Sequence, residues 1–123
     1  MTRFLLGASL WLLLVPLAGA AQSQIVRPPD AASGTDLLRA CGAEGYGSDF
    51  WFCQGYLAGF NQTVVALITV GAIRPPYCPP KGLTNRRLRN IVISYLRAYP
   101  AQLDQSAELL TLAALSTAFP CPN

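Results

Sequence analysis

The sequence contains no histidine and a single methionine, and only 12% of its residues carry charge. Without histidine, the side chain that titrates nearest neutral pH and ligates metals most often is missing, which removes the usual general base and most metal-site chemistry. Alternating apolar and polar runs are also missing, so no strand is expected, and no internal repeat is present. The formal net charge of +3 is too small to argue for nucleic acid. Asp104 and Glu108, four apart, are the nearest approach to a carboxylate pair, and a solvated helical face is the ordinary reading of that spacing. The chain is therefore read as a binding protein, not an enzyme, with no cofactor and no metal.

What the sequence has in excess is apolar residues, 52% of the total, and the first 20 residues explain part of it. Arg3 supplies a positive start, Phe4 to Leu17 an apolar run, and Ala18-Gly19-Ala20 a small-residue cleavage site. This is the pattern of a secretory signal peptide, and it implies export to the periplasm. Cleavage after Ala20 leaves 103 residues. Residues 21–34, with Pro28 and Pro29, read as a flexible lead-in, and residues 35–123 as one helical domain.

That domain is organised around Phe50 to Ile73, a stretch without charge. A membrane span and a buried helix compete for it. Gln54, Asn61, Gln62 and Thr63 near its middle, and the lack of flanking Lys or Arg clusters, favour the buried helix. Ser48 is the expected N-cap, and Gly71 followed by Pro75 and Pro76 the end. Gly55 and Gly59, four apart, form a bare face on which a second helix can pack closely.

Around this element three more helices are expected. Thr35 caps a short one through Leu37 and Leu38 to Cys41. Thr84 caps another, where Leu88, Ile91, Val92, Tyr95, Leu96 and Tyr99 recur at helical spacing. Pro100 stops that helix and opens the last, Ala101 to Ala118, which Phe119 and Pro120 end.

Four cysteines in an exported chain indicate two disulfides. The last two helices, of about 16 and 18 residues, are roughly 24 and 27 Å long, and with almost no loop between them they lie antiparallel. Cys78 before the first then meets Cys121 after the second, and Cys41 meets Cys53 across the turn between the first two helices. Pairing Cys53 with Cys78 instead would have to cross the whole central helix. The fold class is thus all-α, a small disulfide-bonded four-helix domain.

Two surfaces stand out. Arg86, Arg89, Asn90 and Arg97 share the side of the third helix opposite its apolar stripe, with Ile93 among them, and are candidates for contacting an acidic partner. On the fourth helix Leu103, Leu110 and Ala114 on one side, with Leu109, Leu112 and Ala113 on others, exceed what one neighbour covers. A homodimer, with the Gly55 and Gly59 face contributing, would bury the excess.

Four ordered blocks carry a resemblance: Cys53-Gln54-Gly55-Tyr56-Leu57-Ala58-Gly59, Tyr77-Cys78-Pro79-Pro80-Lys81-Gly82-Leu83-Thr84, Tyr95-Leu96-Arg97-Ala98-Tyr99-Pro100, and Ala113-Ala114-Leu115 through Ala118-Phe119-Pro120-Cys121. Together they resemble the Rap/Tai immunity proteins of type VI secretion, over about Leu37 to Cys121. The resemblance implies a disulfide-bonded, all-helical periplasmic protein, often a homodimer, that binds and blocks a peptidoglycan amidase delivered by a neighbouring cell. Relatives often carry an acidic residue soon after the second glycine, where this chain has Asn61. The alternative is a periplasmic acid-stress chaperone or another cell-envelope interaction protein, although six acidic groups and no histidine leave little to drive an acid switch.

Overall fold

The computed structural model describes residues 32–123. The signal peptide expected over residues 1–20, and the lead-in as far as residue 31, lie outside the described residues. Four α-helices follow: α1 (Gly34–Gly42), α2 (Ser48–Thr69), α3 (Asn85–Ala98) and α4 (Ala107–Ala118), with one 3-10 turn, Pro100–Gln102, between the last two. Among the described residues no strand forms, and no helix is long and apolar enough to cross a membrane. The domain is all-α.

The caps explain where each helix departs from expectation. The first helix begins earlier than a Thr35 cap would place it. Ser33 accepts from Asp36 N–H while the Asp36 carboxylate accepts from Ser33 N–H, a reciprocal capping box. Gly34 is therefore helical and not lead-in, and a side chain there would meet Leu110 Cδ1 and lie 3.1 Å from the Leu103 backbone. The start of α1 is tied to the turn before α4 by Gly34 N–H to Gln105 O and Ala107 N–H to Ala32 O.

The last helix begins six residues later than expected. Pro100 opens only the 3-10 turn, and Ser106, accepting from Leu109 N–H, caps α4. Asp104 lies outside α4, so it shares no helical face with Glu108. For α2 the N-cap is Gly47 and not Ser48, and Asp49 in its first turn pairs with Arg39 at 2.8 Å. The far end closes on a Schellman motif: Gly71, at φ +72°, and Ala72 donate back to Ile68 O and Leu67 O.

The core is built from Leu37 of α1, Leu57 of α2, Leu88, Val92 and Leu96 of α3, and Leu110, Ala114 and Leu115 of α4. Both α1 and α3 pack on each of the other helices. The central helix is not buried as expected. Only Cys53, Leu57 and Val64 of α2 are, because its 22 residues span about 33 Å against about 21 Å for α3. Trp51, Phe52, Val65 and Val70 stay outside. Leu110 and Ala114, expected in an apolar excess, belong to the core, whereas Leu109 is exposed.

Cys41 is bonded to Cys53 and Cys78 to Cys121. Near the second bridge Arg87, early in α3, lies over Phe119 just past α4, so the two helices run antiparallel. The proline-rich loop between α2 and α3 is held to the core by Tyr77, whose buried hydroxyl donates to Asn61 Oδ1 at 3.0 Å. Ser116 Oγ donates to Pro76 O, and Cys78 N–H to Phe119 O.

Candidate partner-binding surface

The basic side of α3 is divided in two by its own chemistry. Arg86, Asn90 and Arg97 are exposed. Arg89, between them, is half-buried and turned toward α1. Its Nε–H donates to Cys41 O at 2.7 Å, its Nη2 to Ala43 O at 2.9 Å, and its guanidinium carbon lies 5.5 Å from the Phe50 ring centroid. The carbonyls it reaches are those at the end of α1, where a cation is favoured by the helix dipole. Arg89 is thus the clamp that fixes the loop after α1.

Two clefts flank the clamp. One, of about 580 Å³, is lined by Gly42 to Tyr46, Phe50, Gln54, Arg86 and Arg89. The other, of about 410 Å³, is lined by Gly42, Arg89, Asn90, Ile93, Ser94 and Arg97. Arg86 and Arg97 therefore serve different clefts, and Arg89 lines both.

Sequence reasoning did not single out what stands over the larger cleft. Tyr46 packs edge-on against Phe50 at 5.0 Å between centroids, and Phe50 against Trp51 at 5.1 Å. Tyr46 is 79% exposed and Trp51 62%. The loop beneath is pinned at its base by the buried Cys41–Cys53 bridge and at its first residue, Ala43, by Arg89. The legible signal was three aromatics within six residues, Tyr46 between Gly45 and Gly47, and Phe50 and Trp51 at the start of α2. Gly45, at φ +80°, makes the turn that raises Tyr46.

Among the described residues Gly55 and Gly59 receive no neighbour: nothing would lie within 4 Å of a Cβ at either. The bridge to α1 turns the Cys53 side of α2 inward, and Gly55, two residues on, falls about 200° round the helix. The second helix expected to pack closely there is not among the described residues.

Burial pushes the Tyr56 hydroxyl up to about 12, while the adjacent Thr111 pulls the other way. Among the described residues neither the Tyr56 hydroxyl nor that of Thr111 has a hydrogen-bond partner in good geometry, and burial is the larger influence. Hydrogen bonds from Ser33 hold the exposed Asp36 carboxyl below its ordinary value. Among the described residues no three His, Cys, Asp or Glu side chains gather as a metal site. What the arrangement can do is present a rigid aromatic and basic surface to another macromolecule.

No curated protein and no solved structure matches the chain. The family model of Rap1a immunity proteins matches residues 33–121, from the Ser33 cap of α1 to Cys121 of the second bridge. The match thus spans all four helices and both disulfides, and the chain belongs to the Rap1a immunity protein family.

Proposed function

We propose that this is a periplasmic immunity protein that binds and occludes a peptidoglycan amidase delivered by type VI secretion, without chemistry of its own. The family match over residues 33–121 carries this reading. Residues 1–20 serve as the signal that takes it to the periplasm, and two disulfides suit that oxidising compartment. Arg86, Asn90 and Arg97 offer free donors to a partner, while Arg89 positions the loop beside them. An Arg fork suits carboxylates and backbone carbonyls on the effector.

The protein acts as a homodimer in this reading. Its second copy covers the uncovered side of α2, where Gly55, Gly59, Val65 and Val70 lie exposed, with Leu109 of α4 contributing. Closed two-fold pairing is the commonest way to bury such a face.

The test uses the peptidoglycan hydrolase encoded beside this gene, purified and titrated with the immunity protein while peptidoglycan cleavage is followed. Stoichiometric loss of amidase activity is expected. Absence of binding removes the immunity function, and light scattering that shows only monomer at micromolar concentration removes the dimer.

A further inference from the structure

We propose that the effector is gripped at the aromatic loop over the larger cleft, with Tyr46 as its anchor and Arg86 at its edge, and that the effector meets it with an acidic segment. This rests on the immunity reading and names the contact within it.

Three observations carry the surface. The first is exposure without looseness. Tyr46 is the most exposed large apolar side chain among the described residues, at 79%, yet it packs edge-on against Phe50, and Phe50 is itself held beneath Arg89. A soluble chain gains nothing in its own stability from lifting an aromatic ring into water, and rigid aromatic side chains over a cleft are the usual anchors of an interface.

The second is pre-organisation. The loop from Ala43 to Gly47 is held at its base, by the Cys41–Cys53 bridge and by Arg89, which donates to Cys41 O at the end of α1 and to Ala43 O at the first loop residue. With the base of the loop so held and Tyr46 packed on Phe50, binding there orders less chain, and less interaction energy is lost to entropy.

The third is charge. The cleft is lined by Arg86 and Arg89 against the single carboxylate of Glu44. Helix α3 carries Arg86, Arg87, Arg89 and Arg97 with no acidic residue. Arg86 has neither an ion pair nor a hydrogen bond from its side chain within the described chain, so its guanidinium is available. An acidic edge on the partner is the complement to this face, and steering by such a face raises the association rate.

The experiment measures dissociation constants between the full immunity protein and the neighbouring hydrolase, together with light scattering of each variant alone. Tyr46→Ala should weaken binding about thirtyfold, mainly through faster dissociation, and Tyr46→Phe, which keeps the ring, should restore most of it. Arg86→Glu should weaken binding and reverse its salt dependence, so that added salt no longer opposes association. Arg74→Glu, an equal charge change in the loop after α2, should have a much smaller effect. Because Tyr46 and Arg86 are exposed, unfolding midpoints should stay at the wild-type value.

Wild-type affinity in both Tyr46→Ala and Arg86→Glu overturns the surface while leaving the immunity function standing. A change in dimer mass with unchanged effector affinity assigns the loop to a second copy of this chain and likewise overturns it. Failure of the wild type to bind overturns both readings.

Discussion

Replacing Arg89 by alanine removes two hydrogen bonds and a ring contact at once, and the size of the loss can be worked out. The bonds are short, at 2.7 and 2.9 Å, and the donor is charged. Such bonds contribute about 1.5–3 kcal/mol each when buried. Arg89 is only half-buried, and water can reach the loop carbonyls once the side chain is gone, so roughly half that sum survives. The guanidinium over Phe50 adds about 0.5 kcal/mol. The expected cost is about 3 kcal/mol, a large part of the margin of a domain this small.

Urea unfolding with both disulfides intact measures it. The midpoint should fall with little change in the denaturant slope, because the folded state keeps its core. Arg89→Lys should recover no more than about half, since an ammonium cannot place two donors on carbonyls two residues apart and cover a ring as well. Arg86→Ala and Arg97→Ala, on the same helix but exposed, should stay within about 0.5 kcal/mol of wild type. A loss below about 1 kcal/mol for Arg89→Ala, or full recovery by lysine, would refute the clamp.

Other substitutions test other joints of the fold. Gly34→Ala puts a methyl group against Leu110 and the Leu103 backbone, and should lower stability by about 1–3 kcal/mol in the same assay. Removing Cys78 and Cys121 together should cost about 4 kcal/mol, and Cys41 and Cys53 about 3, because the longer loop, 43 residues against 12, restricts the unfolded chain more. The Asp36 carboxyl is held below its ordinary 3.8 in the folded state, so its ionised form stabilises α1 above that pH, and the contribution is lost as pH falls through the lower folded value. Asp36→Asn should therefore lower the urea midpoint at pH 7, and the gap from wild type should close in strong acid. Tyr77→Phe leaves Asn61 Oδ1 without its donor and should cost about 1–2 kcal/mol in thermal unfolding, with the ring still packed.

Helix existence was legible because it follows from periodicity and breakers. The α3 stripe and its Thr84 cap lie where the spacing placed them. Helix starts were less legible, since two adequate signals competed at each. Ser33 and Thr35 both offer a capping oxygen, and only Ser33 has an acidic residue three positions on to complete the box. Pro100 and Ser106 both suit a helix start, and Ser106 prevails because its hydroxyl satisfies an N–H that proline leaves open. The burial of α2 was misjudged for another reason. An uncharged run fixes how much apolar surface must be covered but not the length of the elements available to cover it.

The aromatic and basic surface was half legible, and the missing half is a matter of range. A helical wheel places Arg86, Arg89, Asn90 and Arg97 on one side of α3, because it needs only the spacing within the helix. What separates Arg89 from the other three is a loop 46 positions earlier in the chain, whose carbonyls engage its fork. Nothing local to α3 distinguishes an arginine that will clamp such a loop from one that faces water. The distinction has a functional consequence. Arg89 spends its donors inside the protein, so its loss is felt first as stability and, on the proposed surface, only then as binding through a slackened Tyr46. Arg86 spends none among the described residues, so on the proposed surface its loss is felt as binding alone. If the surface works as proposed, the two variants separate cleanly: Arg89→Ala lowers both the unfolding midpoint and the affinity, and Arg86→Glu lowers only the affinity. Equal effects on stability from both would mean that the ridge is a single structural face after all, with no division between clamp and contact.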